Sequence, residues 1–245
     1  MAISTNSIIH YTDSFDVLCS ILDEGFKIKY CAEKIILGNG SSHAAHPMIS
    51  FCDIPLSDSM QHFAAYGEYG IGLTKDWAIR MGVNPVLYID KSSLFAISLK
   101  ELIEDRRINK SNLTKSQKVN ILKIKSYAKN YSGHLKRRSI DNPNYKFYNE
   151  REWRLVPKGE DMNNASFSIS LTAYSSNKDR FNNQIADCRF KFNSTDVSYI
   201  IVKLTEEIPI MINHLRDKYS DRCTAKELDL LFSKICSTEQ IIADY

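Results

Sequence analysis

No stretch of this 245-residue chain approaches the roughly 20 consecutive apolar residues that a membrane-spanning helix needs. Residues 1–7 lack the basic-then-apolar order of a secretory signal. Together these absences lead us to expect a cytoplasmic protein with no membrane partner. The six cysteines, Cys19, Cys31, Cys52, Cys188, Cys223 and Cys236, are scattered and form no Cys-x-x-Cys pair. A disulfide framework is therefore not expected, and reduced thiols are the default. Cys31, His43, His46 and Cys52 are suitable ligand types for zinc, but their spacing matches no tetrahedral signature and no metal is expected. There is no Walker phosphate loop, no dinucleotide glycine fingerprint and no Gly-x-Ser-x-Gly elbow. Phosphoryl transfer, Rossmann redox chemistry and the α/β-hydrolase mechanism thus have no motif support. The chain also lacks internal repeats and low-complexity tracts.

What remains has an ordinary composition. Hydrophobic residues make up 43% and charged residues 25% of the chain, the balance of a folded globular protein. The length suits one large domain over 1–245, or a domain with an insertion, with a substantial core. A formal charge of +3 is too small to identify a partner, so only its distribution can inform.

The first unit reads as strand, helix, glycine. Residues 7–11 look extended, Asp13 or Ser14 can cap a helix, and Phe15, Leu18, Ile21 and Leu22 fall on one side of it. Gly25 is placed to end it. Residues 38–47 are rich in Gly, Ser, His and Ala and read as a flexible loop, a candidate lid beside a site. Strands are expected over 48–52, 71–74 and 86–89, with a turn followed by a short helix over 55–70 and a short helix over 76–81. From 99 to 138 lysine and arginine dominate over an incomplete apolar stripe, the pattern of a basic helical insertion. Strands are expected again over 152–157, 167–172, 187–192 and 198–203, followed by helices over 208–219 and 224–236.

Two short signatures at opposite ends of the chain suggest a divided site. His10-Tyr11-Thr12 lies at the entrance of the first helix, and His10 and Thr12 alternate to one face of the strand. A neutral histidine and a threonine hydroxyl can hold a ribose; the plainer reading of His10 is a capping or core residue. The second signature is Asn149-Glu150-Arg151-Glu152-Trp153-Arg154-Leu155-Val156-Pro157. If extended, it sets Glu150, Glu152, Arg154 and Val156 on one face and Arg151, Trp153 and Leu155 on the other. Neighbouring carboxylates suit a reaction in which positive charge develops on a sugar; a charged edge strand gives the same pattern. Tyr66 and Tyr69 sit among glycines, where a ring can stack on a flat heterocycle or be half-buried. Asp53, before Pro55, is a polar site residue or a turn former. The basic stretch over 110–138, including Lys115, Lys118, Lys125 and Lys129, can track phosphates or form a solvated helix face.

At these residues the chain resembles the AbiGi family of abortive phage-infection proteins. The likeness rests on His10-Tyr11-Thr12, the turn over 21–25, the run 47–56, Tyr66-Gly67-Glu68-Tyr69-Gly70-Ile71-Gly72-Leu73, the run 84–89 and the run 149–157, and it spans most of the chain outside the basic insertion. The resemblance implies anti-phage defence and membership of a two-gene system in which the family has been labelled the antitoxin, hence a partner protein from a neighbouring gene. More distantly, the His-x-Thr strand, the helix ending in glycine and the late glutamate strand look like the ADP-ribosyltransferase fold, including DarT-type DNA-modifying toxins. That likeness implies an α+β fold with a split mixed or antiparallel sheet flanked by helices. It further implies NAD as substrate and transfer of ADP-ribose to a macromolecular acceptor, including nucleic acid. His10 would then contact the ribose with Thr12, Tyr66 or Tyr69 would stack on nicotinamide, and Glu152, with Glu150 as the alternative, would support transfer. Arg154 would contact phosphate. A non-catalytic antitoxin and an NAD hydrolase are the alternatives carried forward.

Overall fold

The pattern of buried apolar residues and capping groups accounts for the elements that frame the site. The structure, a computed structural model, describes residues 5–108 and 112–244; Lys110 of the basic stretch and residues 1–4 lie outside them. Strand β1 (Ser7–Thr12) alternates between two apolar clusters, Ile8 on one side and Ile9 and Tyr11 on the other. Ser14 caps helix α1 (Phe15–Glu24) by accepting from the Val17 N–H, and Leu18, Ile21 and Leu22 are its buried face. Gly25 ends the helix with φ +84°, donating its N–H to the Ile21 carbonyl at 2.9 Å. A side chain there would press on the Phe190 carbonyl, so both the left-handed backbone and the close approach require glycine.

Strands β2 (Lys29–Leu37) and β3 (Gly40–Cys52) form a long antiparallel hairpin in register from Leu37 opposite Gly40 to Lys29 opposite Met48. This corrects the expected flexible loop over 38–47. Gly38, at φ +60°, makes the turn. The small residues beyond it, Ala44 and Ala45, are buried on opposite faces of a strand enclosed on both sides. Polar and small composition imitates a loop here, while ladder hydrogen bonds satisfy the backbone.

Helix α2 (Met60–Tyr66) leads through Gly67 into strand β4 (Tyr69–Thr74). The expected basic helical insertion contains short strands as well as two helices. Helices α3 (Leu94–Arg107) and α4 (Lys115–Ser126) pack Ala96, Leu99, Ile103 and Ile121 against Ile35 and Leu37 of β2. Strand β5 (Ala128–Asn130) then runs parallel to Leu87–Ile89, and a hairpin of Gly133–Arg137 with Ile140–Tyr145 follows. The insertion thus shares an apolar core with β2 and Ile89, which its lysine-rich composition disguised.

Strand β6 (Glu152–Leu155) is shorter than expected. Phe147–Glu150 forms a single 3-10 turn, and Arg151 takes a left-handed φ of 45°. Further on, the expected strands over 167–172 and 187–192 shrink to Ile169–Ser170 and Arg189–Phe190. Strand β7 (Val197–Val202) pairs in parallel with β8 (Ile235–Ser237), where the end of a helix was expected. The main sheet runs β8, β7, β4, β1, β3, β6 and Asn84–Pro85, with β2 and Ile169–Ser170 also on β3. One parallel pair among antiparallel ones makes it mixed, and with the flanking helices the architecture is α+β, the class expected from the sequence. No helix among the described residues is long and apolar enough to cross a membrane.

Candidate functional site

Strand pairing decides which candidate side chains can meet. Glu152 lies opposite Cys52, and Arg154 opposite Ser50, across the β6–β3 ladder, while Ile9 lies opposite Cys52 across β1–β3. Directly opposed residues of an antiparallel pair share a face. Glu152, Arg154, Ser50, Cys52 and Ile9 therefore line one face. His10, Phe51, Trp153 and Leu155 line the other.

On the first face the charged side chains form one closed cluster. The Lys129 ammonium, from β5, bridges Glu150 at 2.6 Å and Glu152 at 2.8 Å. Arg154 grips Glu152 with Nε at 2.7 Å and a second nitrogen at 3.2 Å, reaches Glu33 of β2 at 3.1 Å, and donates to the Ser126 carbonyl at 2.6 Å. Ser50 donates to Glu152 at 2.6 Å, and the Tyr66 hydroxyl donates to Glu150 at 2.5 Å. The Glu152 N–H donates to the Tyr88 hydroxyl at 2.8 Å. Arg137 lies 4.4 Å over the Tyr66 ring and Lys129 4.8 Å over Phe147. Arg154 is fully buried, and Glu150 and Glu152 nearly so.

Electrostatics follows from that burial. Desolvation by itself would raise the Glu152 carboxyl, but Arg154 and Lys129 outweigh it and hold the group below the usual carboxylate range. Burial likewise opposes the charge on Lys129, yet Glu152 and Glu150 push its pKa well above the ordinary lysine value. The Tyr66 hydroxyl is raised, first by burial and, against the opposing field of Lys129, by Glu150. Every carboxylate oxygen of Glu150 and Glu152 accepts from a protein donor. A cation developing on a sugar would have to displace Lys129 or Arg154 to meet one.

The remaining candidates lie elsewhere. His10 sits between Phe26 and Phe51 with ring centroids at 5.4 and 5.8 Å, and its Nδ1 is 2.8 Å from the Ser50 carbonyl. A carbonyl only accepts, so Nδ1 carries the proton. Burial lowers the pKa of His10 despite that bond. Thr12 is buried opposite Tyr69 in the β1–β4 ladder, and the Tyr69 hydroxyl donates to Glu207 at 2.8 Å. His10, Thr12 and Tyr69 thus occupy the face of the sheet away from Glu150, Glu152, Arg154 and Tyr66. The two signatures do not converge. Asp53 pairs with Lys75 at 2.7 Å and accepts from the Thr5 N–H at 2.9 Å, a structural role.

The basic stretch also divides. Lys115 is exposed and Lys118 half-buried, whereas Lys125 is buried and Lys129 belongs to the carboxylate cluster. The four do not form a continuous phosphate track, because two of the side chains point into the molecule. Sequence reading missed Ser50, Glu33 and Tyr88 as members of the cluster. Ser50 and Glu33 carried a usable signal in the alternation of β2 and β3, but only once residues 38–47 are read as a strand. His43 is exposed and His46 buried on the opposite side of β3, so these two do not meet. Among the described residues no group of three or more His, Cys, Asp or Glu side chains is arranged to hold a metal. A cavity of about 250 Å³ is lined by Thr5, Ile9, Ile54, Pro55, Leu56, Ser57 and Tyr199 and includes none of the cluster residues.

Comparison with known proteins adds the family. A family model described as "Putative abortive phage resistance protein AbiGi, antitoxin" matches residues 24–203. The chain belongs to the AbiGi family. The match takes in β2, β3, both insertion helices and the Glu152 strand, so the whole charged cluster lies inside the region that defines this AbiGi chain. A relative from Lactococcus lactis subsp. cremoris, the abortive phage resistance protein AbiGi, is 24% identical over 220 residues, covering 81% of this chain and 88% of the relative. No solved structure matches the chain.

Proposed function

We propose that this chain serves in abortive phage resistance as a non-catalytic, antitoxin-type protein that binds a partner protein from a neighbouring gene. The observation that carries the reading is the saturated cluster: Lys129, Arg154, Tyr66 and Ser50 occupy every oxygen of Glu150 and Glu152. Such an arrangement ties β2, β3, α2, β5 and β6 together and leaves no carboxylate free for a substrate. The family description as an antitoxin agrees with it. The partner would be met by the outer face of the insertion, where Lys115 and Lys123 are exposed beside Lys118. Co-expression with the product of the adjacent gene tests this. The wild-type chain should co-purify with that product and relieve its growth arrest. Charge reversal at Lys115, Lys118 and Lys123 together should weaken co-purification at least tenfold while leaving the melting temperature unchanged. Full retention of binding in that variant would remove the assigned surface.

The rival reading is an ADP-ribosyltransferase that uses NAD, with Glu152 stabilising the sugar cation and a macromolecule such as nucleic acid as acceptor; an NAD hydrolase differs only in using water. Its support is the gathering of Glu150, Glu152, Arg154 and Tyr66 in one place. It requires Lys129 to withdraw on substrate binding and His10 to act from the other face of the sheet. For that reason we place it second.

A further inference from the structure

The hairpin of Gly133–Arg137 with Ile140–Tyr145 gives the core little. Only its Leu135 and Tyr145 are buried, and Gly133 stays small where the Phe147 ring lies against it. Its remaining positions are strongly basic. Residues 131–148 hold four cations, Lys136, Arg137, Arg138 and Lys146, against one acid, Asp141. This segment therefore carries as much net positive charge as the whole chain. All four cations are exposed. Asp141 pairs with His134 at 2.5 Å and stands 3.5 Å from Lys136, but exposed pairs of this kind are weak and leave the lysine available. The turn is strained as well. Arg137 pairs with Ile140, so Arg138 and Ser139 form a two-residue connection, and Arg138 has a φ of 51°. Such turns favour Asn or Gly at positive φ. An exposed arginine there strains the backbone and buries nothing in return, which points to a use for its side chain.

Two tyrosines in contact stand at the root of the hairpin. The Tyr148 N–H donates to the Tyr131 carbonyl at 3.2 Å, and the two rings lie 5.6 Å apart with 31° between their planes. Tyr148 also meets Tyr88 edge-on at 5.4 Å. The pair is nevertheless open to solvent, Tyr148 at 53% and Tyr131 at 38% exposure. At the other end Arg137 lies 4.4 Å over the Tyr66 ring, which ties the basic arm to α2. The strand Gly133–Arg137 spans roughly 17 Å, so the cations at the tip and the rings at the root fall within reach of one extended ligand.

We propose that this hairpin and the tyrosine pair at its root bind single-stranded nucleic acid. Lys136, Arg137, Arg138 and Lys146 follow the phosphates, and Tyr131 and Tyr148 stack on unpaired bases. The cations by themselves suit any polyanion. The exposed rings narrow the choice to a ligand with flat faces to offer, which a duplex keeps inside its own stack and an acidic peptide lacks. The surface is distinct from Lys115, Lys118 and Lys123 of α4, to which partner binding is assigned, so either assignment can fail without the other. Single-stranded DNA and single-stranded RNA share this chemistry.

Fluorescence anisotropy of the full chain tests this with labelled single-stranded DNA and RNA of about 12 nucleotides, the matching DNA duplex, and polyglutamate as competitor. We expect a single strand to bind more tightly than the duplex and polyglutamate to displace it poorly; the tighter of the two single strands identifies the ligand as DNA or RNA. Tyr148→Ala should weaken binding by roughly fivefold or more, the low end of what one base–aromatic stack contributes. Arg138→Gly should weaken it by a similar factor and flatten its salt dependence. The melting temperature of Arg138→Gly should hold or rise, because glycine adopts positive φ without strain. That combination separates a binding role from a structural one. Absence of binding by both single strands, a duplex bound as tightly, ready displacement by polyglutamate, or wild-type affinity in either variant would overturn the proposal.

Discussion

At the residue scale, the cluster turns on Lys129. It is the cation shared by two nearly buried carboxylates, and removing one partner of a buried ion pair typically costs about 3–5 kcal/mol. Lys129→Met should destabilise by that order in urea unfolding. Adding Glu150→Gln should recover part of the loss, because it removes one of the charges left uncompensated; strictly additive effects in that double-mutant cycle would contradict the shared bridge. Nothing in the sequence distinguished this lysine from its solvated neighbours, since Lys123, Lys125 and Lys129 are one residue type in one basic run. Only the pairing of β5 with Leu87–Ile89 reveals which way Lys129 faces. His46 and His62 make a second prediction at this scale. Burial, reinforced by Lys125, holds His46 down to about 3, and burial, opposed by Glu150, holds His62 down to about 4. Both folded values lie below the unfolded value near 6.5, so the unfolded chain takes up protons first. Stability is intact above about pH 6.5 and falls as pH drops below it, by about 1.4 kcal/mol per unit for each histidine. Below about pH 4.3 the loss of Glu152 adds to the fall, since its folded pKa is depressed and its contribution disappears as the carboxylate protonates. Unfolding free energies of wild type and of His46→Leu with His62→Leu, measured from pH 7 to 5, should diverge accordingly. Parallel curves would show that these imidazoles are not buried neutral.

At the element scale, the parts most legible in the sequence are those where local signals agree with tertiary packing. Helix α1 shows its cap at Ser14, its apolar face and its terminating Gly25 directly, and β1 shows its alternation. The end of strand β3 was read correctly over 48–52, but its first part was illegible because a stretch built from Ser, Ala and His, and buried on both faces from Ala44 onward, loses the contrast that alternation depends on. Glu150 was placed on the same face as Glu152 by assuming continuous extension. A 3-10 turn and the left-handed Arg151 deliver it to the same cluster by another route. Gly67 was read as room for a ring to approach a ligand. Its φ of +116° and the position of an added Cβ, which would collide with the Thr12 carbonyl, show instead that it lets the chain between α2 and β4 pass close to the end of β1. Gly67→Ala should therefore lower the melting temperature by several degrees, equivalent to about 1–3 kcal/mol of backbone strain. An unchanged melting temperature would show that this approach can relax.

At the scale of the whole molecule, the sheet acts as a partition. His10, Thr12 and Tyr69 face one apolar layer, while the carboxylates, Arg154 and Tyr66 face the insertion. The sequence carried both signatures and the α+β class. It did not carry the parity of the strands relative to one another, which depends on where each ladder begins, and a shift of one residue reverses every side chain. The divided site suggested by the two motifs is thus separated by the sheet that joins them. The central claim, that Glu150 and Glu152 hold the fold together and take no part in turnover, is tested most directly by incubating the purified chain with radiolabelled NAD and lysates of infected and uninfected cells, alongside Glu152→Gln. Label is then followed in protein, DNA and RNA. The account predicts intact NAD and no label transfer in either lysate. Transfer or NAD consumption by the wild type that disappears in Glu152→Gln would contradict it and establish Glu152 as catalytic.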